Sequence, residues 1–246
     1  SFHHEVTAKD DAVYASLDLD PEKMQPQFLI PAHSKANQAI RALALSKRVE
    51  ELQSKLAGMA AAGNLAATIL DEIAALVTPG VSTGELDKFI EDRVNAAGAT
   101  SATIGYKGYK HASCISLNHV VCHGIPGDKK LKDGDILNID VTVIVDGWFG
   151  DTSRMFVAGK LARKPERLIE ITHQALFKGI EMVKPGNTFG DIGHAIQTYV
   201  EAHRMSVVRD FCGHGLGQVF HAPPNVLHYG RPGTGPVLQE GMFFTI

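Results

Sequence analysis

The chain has 246 residues, 44% hydrophobic and 21% charged, with a formal net charge of −3. That composition gives one large globular domain or two small ones, and the charge excludes the basic footprint of a nucleic-acid binder. No apolar run is expected to reach the roughly 20 residues of a membrane span. The three cysteines, Cys114, Cys122 and Cys212, lack zinc-type spacing and fit a reducing compartment better than a disulfide framework.

Residues 1–45 read as an N-terminal extension, partly irregular. Asp10 to Asp20 is acidic, Pro21, Pro26 and Pro31 interrupt any helix there, and Phe28, Leu29 and Ile30 are the expected anchors. The stretch lacks the Arg- and Ser-rich, acid-poor bias of an organelle transit peptide. Residues 46–246 read as the main domain. From Ser46 to Leu76 apolar residues recur at helical steps, Val49, Leu52, Leu56, Met59, then Leu65, Ile69, Ile73 and Leu76. Thr78-Pro79-Gly80 ends that helix. Ser82 and Glu85 then form a Ser-x-x-Glu capping box for a helix buried through Leu86, Phe89, Ile90 and Val94 and ended by Gly98.

Residues 184–200 repeat residues 78–94 at an offset of 106 residues. Pro185-Gly186, Thr188, Gly190 and Asp191 fall on Pro79-Gly80, Ser82, Gly84 and Glu85, and Ile196 and Val200 fall on Ile90 and Val94. Either a half-domain is duplicated or the common chemistry of helix starts coincides. Strands are expected from Cys114 to Val121 and from Ser206 to Phe211, and the closing run Gly241 to Ile246 reads as the middle of a strand.

The central stretch, Leu137 to Phe156, has Asp146-Gly147 between two β-rich runs, the signature of a two-residue type I′ hairpin. With that turn Val145 faces Trp148 and Asp151 faces Thr142. Asp140, two residues from Thr142, shares its face. The two carboxylates are then diagonal neighbours roughly 7–8 Å apart at Cα, a separation that admits a metal ion or a pair of them. The other face, Leu137, Ile139, Val141, Val143 and Val145, is wholly apolar and belongs in a core. Two acids on one face also suit a sheet wetted on that side. His123, His214 and His221 add imidazoles at sharp turns, and Asp with His suits Mn, Fe, Co or Zn.

Four motifs in this order and spacing, His123-Gly124-Ile125-Pro126, Asn138-Ile139-Asp140-Val141-Thr142, Gly150-Asp151-Thr152-Ser153 and Cys212-Gly213-His214-Gly215-Leu216-Gly217, resemble the type I methionine aminopeptidases. The resemblance runs from about Ser46 to Ile246. It implies an α+β pita-bread fold, a twisted antiparallel sheet with helices on its outer face and pseudo-twofold halves. It implies two divalent ions (Co, Mn, Fe or Zn), with Asp140, Asp151 and His214 as ligands and a metal-activated water as nucleophile. His123 and His221 would contact the substrate amide and stabilise the tetrahedral intermediate. Tyr106, Tyr109, Cys114 and Phe220 would form the pocket for the methionine side chain, whose thioether suits aromatic faces and a thiol.

The implied activity is removal of the initiator methionine from nascent chains with a small second residue, by a cytoplasmic monomer near the ribosome. A prolidase- or creatinase-like enzyme of the same fold and a non-catalytic peptide- or protein-binding module are the alternatives. The family's remaining two ligands are glutamates beyond Ile246, and Glu240 is not in a ligand position. The C-terminal strands are therefore expected to come from a separate segment or from residues that continue the sequence, and residues 1–246 alone are expected to form an incomplete site.

Overall fold

The computed structural model describes residues 35–246, so the acidic stretch, the three prolines and the anchor expected before residue 35 lie outside the described residues. The chain divides into two units between Ala57 and Gly58. Helix α1 spans Lys35–Ile73 and passes through that boundary, followed by a 3₁₀ turn at Ala74–Leu76. It begins eleven residues before Ser46, where the expected helix starts. Residues 35–45 are proline-free and rich in Ala, Leu, Lys, Arg and Gln, which propagate a helix well even without a regular apolar stripe. The segment Arg41–Leu76 is also long and apolar enough by composition to cross a bilayer, with mean hydropathy 1.3 in its most apolar window, where no such run is expected. It is alanine-rich and uncharged from Leu56 to Leu70. Within the second unit, Ala66, Ile69, Leu70 and Ile73 of this helix are buried in a protein core.

Helix α2 (Thr83–Ala96) starts at the predicted capping box. Glu85 N–H donates to Ser82 Oγ at 3.2 Å and Ser82 N–H donates to Glu85 Oε2 at 2.8 Å. Strand β1 (Thr100–Ser101), a 3₁₀ turn at Tyr106–Gly108, and strands β2 (Ser113–Leu117), β3 (Asp135–Val145) and β4 (Trp148–Ala158) follow. Strand β3 pairs antiparallel with each of the other three. Strand β2 stops at Leu117, four residues short of the expected end at Val121, and is buried throughout.

The second half has helices α3 (Arg163–Glu181) and α4 (Phe189–Ala202) and a two-stranded antiparallel sheet of β5 (Gly213–Gly215) and β6 (Ala222–Val226). The strand expected from Ser206 to Phe211 does not form; that segment is irregular, its β-branched residues having no ladder partner. The closing run, expected as a strand, makes a single bridge from Phe244 to Gly215.

The duplication is visible in the backbone. Helices α2 and α4 both have 14 residues, 106 positions apart, and Thr188 with Asp191 forms a second capping box. In the first half Gly80, Thr83 and Gly84 N–H groups donate to Leu131, Lys129 and Gly127 carbonyls; in the second Gly186, Phe189 and Gly190 donate to Leu238, Pro236 and Thr234. Coincident cap chemistry would not carry its own partner segment along, so the two halves repeat one structural unit. Each half has its own core. Leu86, Ile90 and Val94 pack with Leu137, Ile139, Val141 and Val143, while Ile192, Ile196 and Val200 pack with Phe189, Val226 and Leu238.

Candidate active site

The β3–β4 hairpin places the acids. Asp146 and Gly147 have φ of 49° and 81°, as a type I′ turn demands. The predicted register holds, with Val145 opposite Trp148 and Thr142 opposite Asp151. The core face, Leu137, Ile139, Val141 and Val143, is fully buried, which pins the register, because a one-residue slip would turn that face outward. Thr142 Oγ1 donates to Asp151 Oδ1 at 3.1 Å. Gly150 is required beside Asp151, since a Cβ there would lie 2.2 Å from the Ala62 carbonyl carbon of α1.

His214 reaches the same place from β5. Its Nε2 lies 3.3 Å from Asp151 Oδ2 and its Nδ1 3.0 Å from the Gly215 carbonyl. A carbonyl oxygen only accepts, so Nδ1 donates to Gly215, and the contact with Asp151 raises the His214 pKa. The flanking glycines let other backbone close in: a Cβ on Gly213 would lie 2.1 Å from Thr245 O, and one on Gly215 2.5 Å from Pro223 O of β6.

Asp140 sits opposite Cys114 of β2. Burial first, then the Asp151 carboxylate beside it, hold its carboxyl well above the ordinary range, with His214 opposing. Asp140, Asp151 and His214 thus interact as a chain, with the Asp140 carboxyl on one side of Asp151 and the His214 imidazole on the other. Among the described residues no three His, Cys, Asp or Glu side chains are arranged around a common point suited to an ion. The donor set nevertheless fits a divalent cation. Two close carboxylates beside an imidazole concentrate negative charge that a cation would offset, and a backbone carbonyl on Nδ1 is the arrangement that leaves Nε2 as the ligand nitrogen. Glu240 is exposed, in the turn after Leu238.

An aromatic cluster adjoins this centre. Tyr106 Oη lies 3.1 Å from His221 Nδ1, and the His221 ring is 4.4 Å from that of His214. Phe220 packs edge-on to Tyr106 at 5.1 Å and stacks on Phe149 at 5.4 Å. Burial, then the neighbouring His214, lower the His221 pKa, favouring the neutral ring at pH 7. Tyr109 Oη donates to the Ser113 carbonyl at 2.9 Å. Burial raises the Tyr109 phenol, and it pushes the neighbouring Cys114 thiol up to about 11, so both stay neutral. His123 is exposed at the rim, in left-handed backbone with φ 53°, its ring edge-on to Phe211 at 5.3 Å.

The structure therefore brings Tyr106, Phe220, His221, His214, Asp151 and Asp140 into one continuous set, with Cys114 and Tyr109 behind it and His123 at its edge. Sequence reasoning missed Phe149 and Phe211. Phe149 stands two residues before Asp151 on the predicted hairpin, a signal available from its position; Phe211 lies in the segment misread as a strand.

The chain matches the model of metallopeptidase family M24 over residues 57–246. It is 57% identical over 188 residues to a methionine aminopeptidase of Rickettsia prowazekii, covering 76% of this chain and 73% of that protein. The crystal structure of methionine aminopeptidase from Rickettsia prowazekii superposes with a TM-score of 0.77 at 55% identity, over 78% of this chain and 77% of that one. A prolidase from Pyrococcus furiosus shares the fold, with a TM-score of 0.66 at 21% identity over 78% of this chain and 54% of that one. The two antiparallel sheets, the duplicated capped helices and these matches together make the chain a member of metallopeptidase family M24 with the pita-bread fold and, within that family, of the type I methionine aminopeptidases, which are metal-dependent hydrolases.

Proposed function

We propose that this chain removes the N-terminal methionine of nascent polypeptides whose second residue is small, with two divalent ions held by Asp140, Asp151 and His214. One observation carries the reading: the aromatic cluster runs into the carboxylate–imidazole centre, through the 3.1 Å contact of Tyr106 Oη with His221 Nδ1, the 4.4 Å His221–His214 ring contact and the 3.3 Å contact of His214 with Asp151. A side chain lodged among Tyr106, Tyr109, Cys114 and Phe220 has its backbone at those groups. Neutral aromatic and thiol surfaces suit a thioether and disfavour a charged side chain.

Divalent ions such as Co, Mn, Fe or Zn supply, when bound, Lewis-acid polarisation and an activated water at neutral pH. The chain's own residues do the rest. With Tyr106 Oη–H donating to Nδ1, neutral His221 carries its proton on Nε2, where it can donate to an oxyanion developing on the scissile carbonyl. His123, on its constrained left-handed backbone, is assigned to the substrate amide. Thr142 orients Asp151 through the 3.1 Å hydrogen bond to Oδ1. The working form is read as a cytoplasmic monomer acting near the ribosome, where N-termini emerge.

The prolidase-like reading is supported only at the level of fold, at 21% identity. The test is hydrolysis by the metal-loaded full-length enzyme of two peptides, one beginning Met-Ala and one an Xaa-Pro dipeptide. Release of methionine from the first with no cleavage of the second is expected. The reverse would overturn the proposal, and binding without cleavage of either would favour the peptide-binding module.

A further inference from the structure

We infer that Asp87 and His111 are positioning residues of the methionine pocket: Asp87 from α2 and His111 from the loop itself hold the segment that carries Tyr106 and Tyr109. The inference rests on the pocket reading above.

Asp87 is a buried charge, 7% exposed, on the inner face of α2. It caps nothing in its own helix. Instead Oδ1 accepts from Ser113 N–H at 2.9 Å and from Ser113 Oγ at 2.7 Å, at the first residue of β2. Oδ2 lies 3.0 Å from His111 Nδ1; a carboxylate only accepts, so Nδ1 carries the proton. Three donors on one buried carboxylate satisfy it, and removal of any one would leave part of a desolvated charge unpaired.

The His111 ring passes this constraint to the pocket. It packs edge-on to Tyr109, centroids 5.5 Å apart at 63°. Tyr109 Oη returns to the Ser113 carbonyl, which closes a ring of contacts through Asp87, Ser113, Tyr109 and His111. The loop is also tied at its base, by Thr103 Oγ1 to the His111 carbonyl at 2.7 Å, Ser101 Oγ to the Ala112 carbonyl at 3.2 Å and Gly105 N–H to the Tyr109 carbonyl at 2.7 Å. Those ties set the backbone. Among the described residues His111 is the ring packed against Tyr109, and Asp87 holds His111 in place. Neither residue has a contact with Asp140, Asp151, His214 or His221, so their loss should weaken binding of the methionine side chain and leave the chemical step intact.

The test uses the metal-loaded full-length enzyme with a peptide beginning in methionine, and free L-methionine as product inhibitor. In His111→Ala, KM and the methionine inhibition constant should rise together by roughly tenfold, about what one lost hydrogen bond to a charged group gives, with kcat changed less than about twofold, the pattern of a lost uniform binding contact. His111→Asn, which restores a donor near the Nδ1 position but not the ring, should recover only part of the loss. Asp87→Asn should move both constants in the same direction by less. Unchanged constants in His111→Ala, or a fall in kcat at constant KM, would overturn the inference. Tyr109→Ala separates the two readings: raised constants there with His111→Ala unaffected overturn the positioning role alone, whereas unchanged constants in Tyr109→Ala overturn the pocket reading and the inference with it.

Discussion

The Tyr106 hydroxyl meets His221 Nδ1 at 3.1 Å, so one residue joins the aromatic cluster to a proposed catalytic imidazole. Tyr106→Phe keeps the aromatic wall and deletes that contact. One neutral hydrogen bond is worth about 0.5–1.5 kcal/mol, so kcat should fall roughly two- to tenfold while KM and metal content hold. Steady-state kinetics with metal analysis checks this, and a KM effect alone would assign Tyr106 to the pocket only.

His123 stands at the rim with its backbone in the left-handed region and Phe211 against its ring. His123→Ala should lower kcat by roughly 10²–10³, the cost of one lost transition-state donor, with ions still bound. If metal content dropped as well, His123 would be a ligand.

Gly150 lets the backbone of α1 press on β4 beside Asp151, and an added Cβ would meet the Ala62 carbonyl carbon at 2.2 Å. Backbone on both sides cannot move out of the way as a side chain can. Gly150→Ala should therefore cost roughly 1–3 kcal/mol, as overpacking does, and lower activity through Asp151. Urea unfolding of the two proteins measures the first effect.

His228 is half-buried, and burial lowers its pKa. The folded state thus holds it neutral to lower pH than the unfolded chain, which takes up a proton near the ordinary value of about 6.5. Its contribution to stability is present above that value and is lost as pH falls below it, toward the depressed folded pKa. Stability should drop between pH 7 and pH 5, and His228→Asn should flatten the drop. An unchanged slope would show that His228 titrates alike in both states.

How much of this was legible in the sequence depends on how far apart the interacting residues are. The hairpin was legible because Asp146-Gly147 sets the register locally and the apolar face of β3 confirms it. The two capped helices were legible because the cap chemistry sits within four residues. The start of α1 was not, since good helix formers without an apolar stripe carry no periodic signal. The segment 206–211 was misread because β-branched residues give strand propensity while a ladder needs a partner, which propensity does not supply. Gly213 and Gly215 beside His214 are required by the carbonyls of Thr245 and Pro223, backbone of other segments that the motif itself does not reveal. The Asp87–His111 pair is 24 residues apart and joins a helix to a loop, so neither residue stood out alone.

The central claim is that Asp151, shared between Asp140 and His214, anchors the metal centre of an aminopeptidase. The most direct measurement is metal content together with methionine release for Asp151→Ala in the full-length enzyme. Loss of at least one ion per chain and of activity is the predicted result, because removing the shared carboxylate leaves each ion under-coordinated. Near-wild-type turnover with two ions still bound would contradict it.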